Sequence, residues 1–274
     1  MFSVTKDSAF TNLLADNLRK RYDKNKWYMD EPVHVSDLLD SSCMRKQYYS
    51  RKYPRKNLIT DDQLFSFVRG EASEFVITKL ANIGAAQVRI ELDSIIARPD
   101  ILRHGKELSV DDFLVVELKD SALVGRRLDF NDFKFKSYLQ QLLYYLVITG
   151  IEKGVLCITY STYETEWIKR DDLGDHYLKS YDVKPPGLES WSVFMSLDDP
   201  LREDLKDELI NRRDRFLEAL QENRVEVLPR LVGIYKKLKC KRCCFLDQCF
   251  IKDDETVDAI KFGLKSSVIN RVFS

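Results

Sequence analysis

Residues 113–119 read Phe113-Leu114-Val115-Val116-Glu117-Leu118-Lys119. A short apolar run of this kind, rich in β-branched residues, predicts a buried strand over 113–118. Glu117 follows directly on Val115-Val116, so its carboxylate emerges from buried backbone. Burying that charge is costly unless a cation pairs with it. Glu117 and Lys119 are two apart and in a strand project to one face. Alone, Glu-x-Lys is a common strand-end ion pair; the residues on either side give it weight.

Upstream, residues 87–103 are β-rich, with a turn at His104-Gly105-Lys106. Asp100, after Arg98-Pro99, falls on one of these strands. Downstream, Tyr138–Thr149 predicts a helix with Leu139, Leu142, Leu143 and Leu146 on one face and Gly150 as its stop. Gln140 and Tyr144 lie one turn apart and share a face. Gln141 and Tyr145 repeat that spacing, and periodicity does not separate the pairs. Gln140 flanks the leucine stripe, so Gln140 with Tyr144 is the pair expected at the site.

Asp61-Asp62 opens an amphipathic helix whose stripe is Leu64, Phe65, Val68, Ala72, Phe75, Val76 and Leu80, closed by Gly84. A helix is expected at Ala9–Tyr22. Ser36 is expected to cap a short helix, Asp37–Leu39, leading to Cys43. Gly154–Tyr160 and Glu164–Ile168 read as a hairpin, Pro185-Pro186-Gly187 as a loop, and Asp204–Glu222 as a long charged helix. The order describes an α/β core at 61–190, a helical arm at 1–60 and a C-terminal segment at 191–274.

The chain has 274 residues, with 44 basic against 44 acidic side chains, so net charge argues for no particular partner. No apolar run is long enough for a membrane span, and residues 1–20 lack the apolar core of a secretory signal. The expected address is cytoplasmic. The six cysteines are bunched: Cys43 stands alone, while Cys240, Cys243 and Cys249 form C-x2-C-x5-C near the end. Bunched thiols suit metal ligation in a reducing compartment better than a disulfide framework. Four thiolates bind zinc or an iron–sulfur cluster, and spacing does not separate them. Cys244 is an alternative to Cys243, and Cys157 reads as a small core residue.

Arg45, Lys46, Arg51, Lys52, Arg55 and Lys56 are interleaved with Tyr48, Tyr49 and Tyr53. Lys236, Lys237, Lys239, Lys241 and Arg242 surround the late cysteines. Were the cysteines to meet, these segments would form a basic, aromatic surface suited to a phosphate backbone and stacked bases. The bland reading of each run is a solvated face. His34, His104 and His176 fall at loops or segment ends, where surface placement is expected.

Hard divalent cations take oxygen ligands, and carboxylates on adjoining strands can hold one. Asp100 and Glu117 are placed for this, with the Leu118 carbonyl as a further oxygen and Lys119 beside them to orient or deprotonate water. The ordered set resembles the RecB-type nucleases of the PD-(D/E)XK superfamily. It is most similar to the CRISPR-associated, iron–sulfur-containing RecB-like exonucleases. The matching pieces are Ser36-Asp37-Leu38, Cys43-Met44-Arg45-Lys46-Gln47-Tyr48-Tyr49, Arg69-Gly70, Asp100, Glu117-x-Lys119, Gln140-x3-Tyr144 and the C-x2-C-x5-C run.

The resemblance implies a mixed sheet flanked by helices and Mg2+- or Mn2+-dependent cleavage of DNA. Single strands are the favoured substrate, cut from an end and 5′ to 3′. It also implies a 4Fe–4S cluster on Cys43, Cys240, Cys243 and Cys249 that ties the two arms together, and CRISPR integrase proteins as partners. Oligomeric state stays open. One position departs from the pattern: the family has a histidine four residues after the glycine matched by Gly70, and here Glu74 stands there. A glutamate also ligates Mg2+ or Mn2+, so Glu74 is the upstream metal candidate, although Glu71 lies nearer the apolar stripe. The rival readings are a nucleic-acid-binding subunit without catalysis and a zinc-stapled adaptor.

Overall fold

The computed structural model describes residues 8–23, 32–54, 61–80, 83–103, 113–121, 127–161, 164–169, 176–184, 186–229, 240 and 243–251. The apolar run becomes the central strand, Leu114–Ser121, numbered β6 in chain order. Before it come β1 (Val33–His34), β2 (Ala85–Ala86), β3 (Ile90–Leu92), β4 (Ile95–Ala97) and β5 (Ile101–Arg103). After it come β7 (Lys153–Tyr160), β8 (Glu164–Lys169), β9 (His176–Lys184) and β10 (Gly187–Phe194). The main sheet runs β10-β7-β6-β5-β2. β6 pairs parallel with β7 and antiparallel with β5.

The period-2 rule divides β6 between two apolar clusters. Val115 belongs to the main core, while Val116 and Leu118 join Ile101 in a smaller one on the opposite face. Glu117 therefore shares the main-core face with Val115. The β5–β6 ladder ends at Ile101↔Val116, one step before Asp100 and Glu117.

The crossover from β6 to β7 is a helix at Phe133–Thr149. It begins at Asp132 and ends at Gly150, which sits in the left-handed region at φ 68 and donates its N–H to the Leu146 carbonyl at 3.1 Å. The helix is buried continuously from Leu139 to Ile148 rather than along one stripe. Such a segment is enclosed on all sides. Gly154 of β7 lets it approach, because a Cβ there would stand 3.0 Å from a Leu142 methyl.

The other helices are Ser8–Asp23 (α1), Met44–Lys52 (α2), Asp61–Leu80 (α3), Pro200–Gln221 (α5) and Leu246–Ile251 (α6), the crossover helix being α4. Asp199 caps α5, accepting from the Leu201 N–H at 2.9 Å, and Pro200 occupies its first turn. Val33, Leu38, Met44 and Tyr48 near the start, and Leu205, Phe216, Leu228 and Phe245 toward the end, contribute to the same core as β6, β7 and α4.

Three expectations are corrected. β7 and β8 do not form a hairpin: β7 pairs antiparallel with β10, and β8 pairs with β9 in a separate ribbon. A sheet partner far along the chain leaves no local signal. Around Ser36 the chain forms a 3-10 turn, Val35–Asp37, and it is the Asp37 carboxylate that accepts from the His34 N–H at 3.1 Å. On α3 only Leu64 of the expected stripe is fully buried, while Phe65, Phe75, Val76 and Leu80 are exposed. The helix presents Ser66, Gly70, Ser73, Glu74 and Ile77 inward, over a polar cavity.

Candidate metal centre

The inward face of α3, the ends of β5 and β6 and one side of α4 enclose a cavity of about 660 Å³. Asp100, Glu117, Lys119 and Glu74 all line it. The Leu118 main-chain N–H donates to Asp100 Oδ2 at 2.6 Å. Lys119 Nζ donates to Glu117 Oε1, while Glu117 Oε2 is buried with no hydrogen-bond partner. Glu117 itself is 1 % exposed. A bare carboxylate oxygen in such a setting is uncommon and costly. Glu74 joins through Gln87, whose Nε2 donates to Glu74 Oε1 at 2.5 Å and to Asp100 Oδ1 at 3.0 Å. Glu71 faces away, toward Arg21 of α1 at 2.9 Å.

The three acids hold their protons more tightly than exposed ones. Burial pushes the Glu117 carboxyl up to about 8, and the charges of Asp100 and Glu74 add to this against the pull of Lys119. Burial also raises Asp100 and Glu74. For Lys119, burial works to lower the ammonium, but the charges of Glu117 and Asp100 outweigh it and the net direction is upward. Acids raised together by burial and mutual repulsion mark a site short of positive charge. A divalent cation would supply it, so the donor set fits a hard metal, with Asp100 and Glu117 as its nucleus. Among the described residues, no group of three His, Cys, Asp or Glu side chains is placed to hold a metal ion, neither at these acids nor among the cysteines.

The α4 pair at the cavity is Gln141 with Tyr145, not Gln140 with Tyr144. Gln141 Nε2 donates to the Tyr145 hydroxyl at 2.8 Å. Gln140 and Tyr144 belong to a buried network on another side of the helix. There Gln140 accepts from the Asp40 N–H at 2.9 Å, and its amide donates to Tyr144 Oη at 3.1 Å. Tyr144 donates to Glu208 at 2.5 Å, and Arg212 bonds Asp40 at 2.6 Å. The network fastens α4 to α5 and to the segment before Cys43. A helix buried all round gives no moment to say which side meets a site, and here the leucine stripe misled.

His34 is corrected too. It is 8 % exposed and lines the cavity. Burial, then the charges of Arg98, Arg51 and Arg89, lowers its imidazole to about 4, so it is neutral at pH 7. His104 lies outside the described residues, and the side chain of His176 does too. The basic segment after Cys43 is in part structural. Arg45 donates to the Leu228 and Glu226 carbonyls, and Arg51 pairs with Asp37 at 2.9 Å under the Phe216 ring. Both arginines, with Tyr48 and Tyr49, are buried, which withdraws them from the expected surface. Arg55, Lys56, Lys236, Lys237, Lys239, Lys241 and Arg242 lie outside the described residues. The cavity has its own cations in Arg69, Arg98, Lys119 and Lys134, with Lys119 and Lys134 both over the Tyr138 ring. Arg69 is tied to Asp120.

α2, which follows Cys43, packs on the segment of the late cysteines, but the described cysteines do not gather as a metal site. Cys43 is the N-cap of α2, and on α2 Tyr49 stacks on Phe245 at 5.6 Å and donates to the Gln248 carbonyl at 3.1 Å. Cys43, Cys240, Cys243 and Cys249 are half-buried, and Cys244 is exposed. Burial raises the Cys243 thiol, while Lys46, near Cys43 in α2, opposes the shift. Cys157 is half-buried, 3.2 Å from Ser190 Oγ.

No protein-family model matches this chain, and no curated protein matches it. Solved structures do. The crystal structure of SSO0001 superposes with a TM-score of 0.51 at 16 % identity, covering 90 % of this chain and 98 % of that one. A phage-related exonuclease from Haemophilus somnus 129PT gives 0.41 at 11 % identity, over 70 % of this chain and 96 % of its own. An alkaline exonuclease from Laribacter hongkongensis gives 0.37 at 12 % identity, over 77 % and 94 %. The likeness to SSO0001 is one of fold: a mixed α/β architecture with sheets flanked by helices. No helix among the described residues is long and apolar enough to cross a membrane.

Proposed function

We propose that this chain is a divalent-metal-dependent deoxyribonuclease of the RecB-like, PD-(D/E)XK type. One observation carries the reading: a buried carboxylate, Glu117, with one oxygen on Lys119 and the other without a partner, beside Asp100. Asp100 and Glu117 would hold Mg2+ or Mn2+, with Glu74 and the Leu118 carbonyl completing its protein ligands. When bound, the metal acidifies water and neutralises phosphate charge. Lys119, beside the metal, would orient the attacking water or help to deprotonate it. Gln141 and Tyr145 would supply neutral hydrogen-bonding groups in the same cavity, and Arg98 and Lys134 charge for the phosphate.

Single-stranded DNA, cut from an end and 5′ to 3′, is the substrate we favour. The same reading puts a 4Fe–4S cluster on Cys43, Cys240, Cys243 and Cys249, a cytoplasmic address and, in a CRISPR setting, integrase partners. Such a cluster would clip distant parts of the chain.

The test is digestion of end-labelled single-stranded DNA with Mn2+ or Mg2+. Cleavage is expected from the wild type and abolished by Glu117→Ala or Lys119→Ala. Salt-sensitive DNA binding without cleavage would favour a non-catalytic binding subunit instead. Anaerobic purification should give a brown protein with iron; a colourless one carrying zinc would replace the cluster with a zinc staple.

A further inference from the structure

Gln87 lies between β2 and β3, and no sequence pattern singles it out. Its backbone is in the left-handed region, at φ 53, where a non-glycine residue is strained. Three hydrogen bonds hold it there. Its main-chain N–H donates to the Asp100 carbonyl at 3.1 Å, and its side-chain amide reaches both Asp100 and Glu74. The side chain ends on the two acids whose carboxyl groups repel each other. Strain held at such a place goes with positioning of functional groups. A glycine would take up this backbone without strain, but it has no amide to span the acids.

We propose that Gln87 is a positioning residue: its amide draws Glu74 of α3 to the Asp100–Glu117 pair, so that a two-carboxylate site receives a divalent cation with three. This rests on the metal-dependent reading above. Glu74 would otherwise belong to a helix free to turn its carboxylate outward, as Glu71 does toward Arg21.

The test is Mn2+ binding to metal-stripped protein, followed by calorimetry and by the Mn2+ electron paramagnetic resonance signal, with no DNA present. Gln87→Gly keeps the backbone conformation and removes the amide. It should melt at or above the wild-type temperature yet bind Mn2+ about tenfold more weakly, as loss of a residue supporting a metal ligand does. Gln87→Asn retains an amide and tolerates the left-handed region, and should recover part of the loss. Glu74→Gln should weaken binding to the same extent, and Glu74→Gln with Gln87→Gly no further than either alone. Wild-type affinity in Gln87→Gly, with binding lost in Asp100→Asn, would overturn the positioning role and leave the metal site standing. Absence of Asp100-dependent Mn2+ binding in the wild type would instead bring down the metal-dependent reading, and this role with it.

Discussion

Glu117→Gln should make the metal-free protein less sensitive to alkali while removing its metal response. The Glu117 carboxyl is pushed up to about 8 in the folded protein, against an ordinary value of 4.5. Between those values the folded state retains a proton that the unfolded chain has released. Stability is therefore greatest below the unfolded value, falls as pH rises toward the folded one, and levels off above it. At about 1.4 kcal/mol per pH unit, with the slope easing near the folded value, this group alone accounts for a loss of about 3–4 kcal/mol between pH 5 and pH 8. Asp100 and Glu74 are shifted the same way, so they leave a residual slope in the variant. The assay is urea denaturation in EDTA at each pH unit from 5 to 8, comparing wild type with Glu117→Gln. The wild type should lose about 3–4 kcal/mol more across that window than the variant. Adding Mn2+ should reverse the wild-type trend, because the cation competes with protons for the carboxylates, and should leave the variant unchanged. Parallel pH profiles for the two proteins in EDTA would refute the argument that Glu117 is a desolvated, undercompensated carboxylate.

Exchanging residues on the two sides of α4 separates site from scaffold. Gln141→Leu or Tyr145→Phe should reduce nuclease turnover per folded molecule, besides costing about 1–3 kcal/mol for the buried bond between them. Tyr144→Phe should cost a similar amount, about 1–3 kcal/mol in urea denaturation, by leaving buried partners unsatisfied, and leave the turnover of the folded protein unchanged. Arg212→Met strips the cation from Asp40, Glu208 and the Leu38 carbonyl, and should destabilise by about 3–5 kcal/mol in the same measurement. Gly154→Ala pushes a methyl against Leu142 and should lose about 1–3 kcal/mol through overpacking, read as a lower urea midpoint. Cys43→Ser and Cys249→Ser should each lower the iron content of anaerobically purified protein and its melting temperature, if both residues ligate one cluster.

The local parts of this molecule were legible in the sequence. The run at 113–118 announced a buried strand, alternation put Glu117 and Lys119 on one face, and Gly150 marked the end of α4. Each is a property of a few neighbouring residues whose backbone geometry fixes side-chain direction, so no distant partner was needed. The pairing of Asp100 with Glu117 followed from reading two strands as adjoining, which antiparallel β5 and β6 satisfy. What only the tertiary structure decided were matters of facing. α4 is apolar on every side, so its sequence could not say that Gln141 and Tyr145, rather than Gln140 and Tyr144, look into the cavity. The α3 stripe gave the reverse of its usual meaning, because the wall it turns inward lines a polar site, not a core. Gln87 belongs to the site only because β2 pairs with β5, and Arg45, Arg51 and His34 are buried only because residues far along the chain fold over them. Contacts of that length depend on the whole packed chain, and no window of sequence contains them.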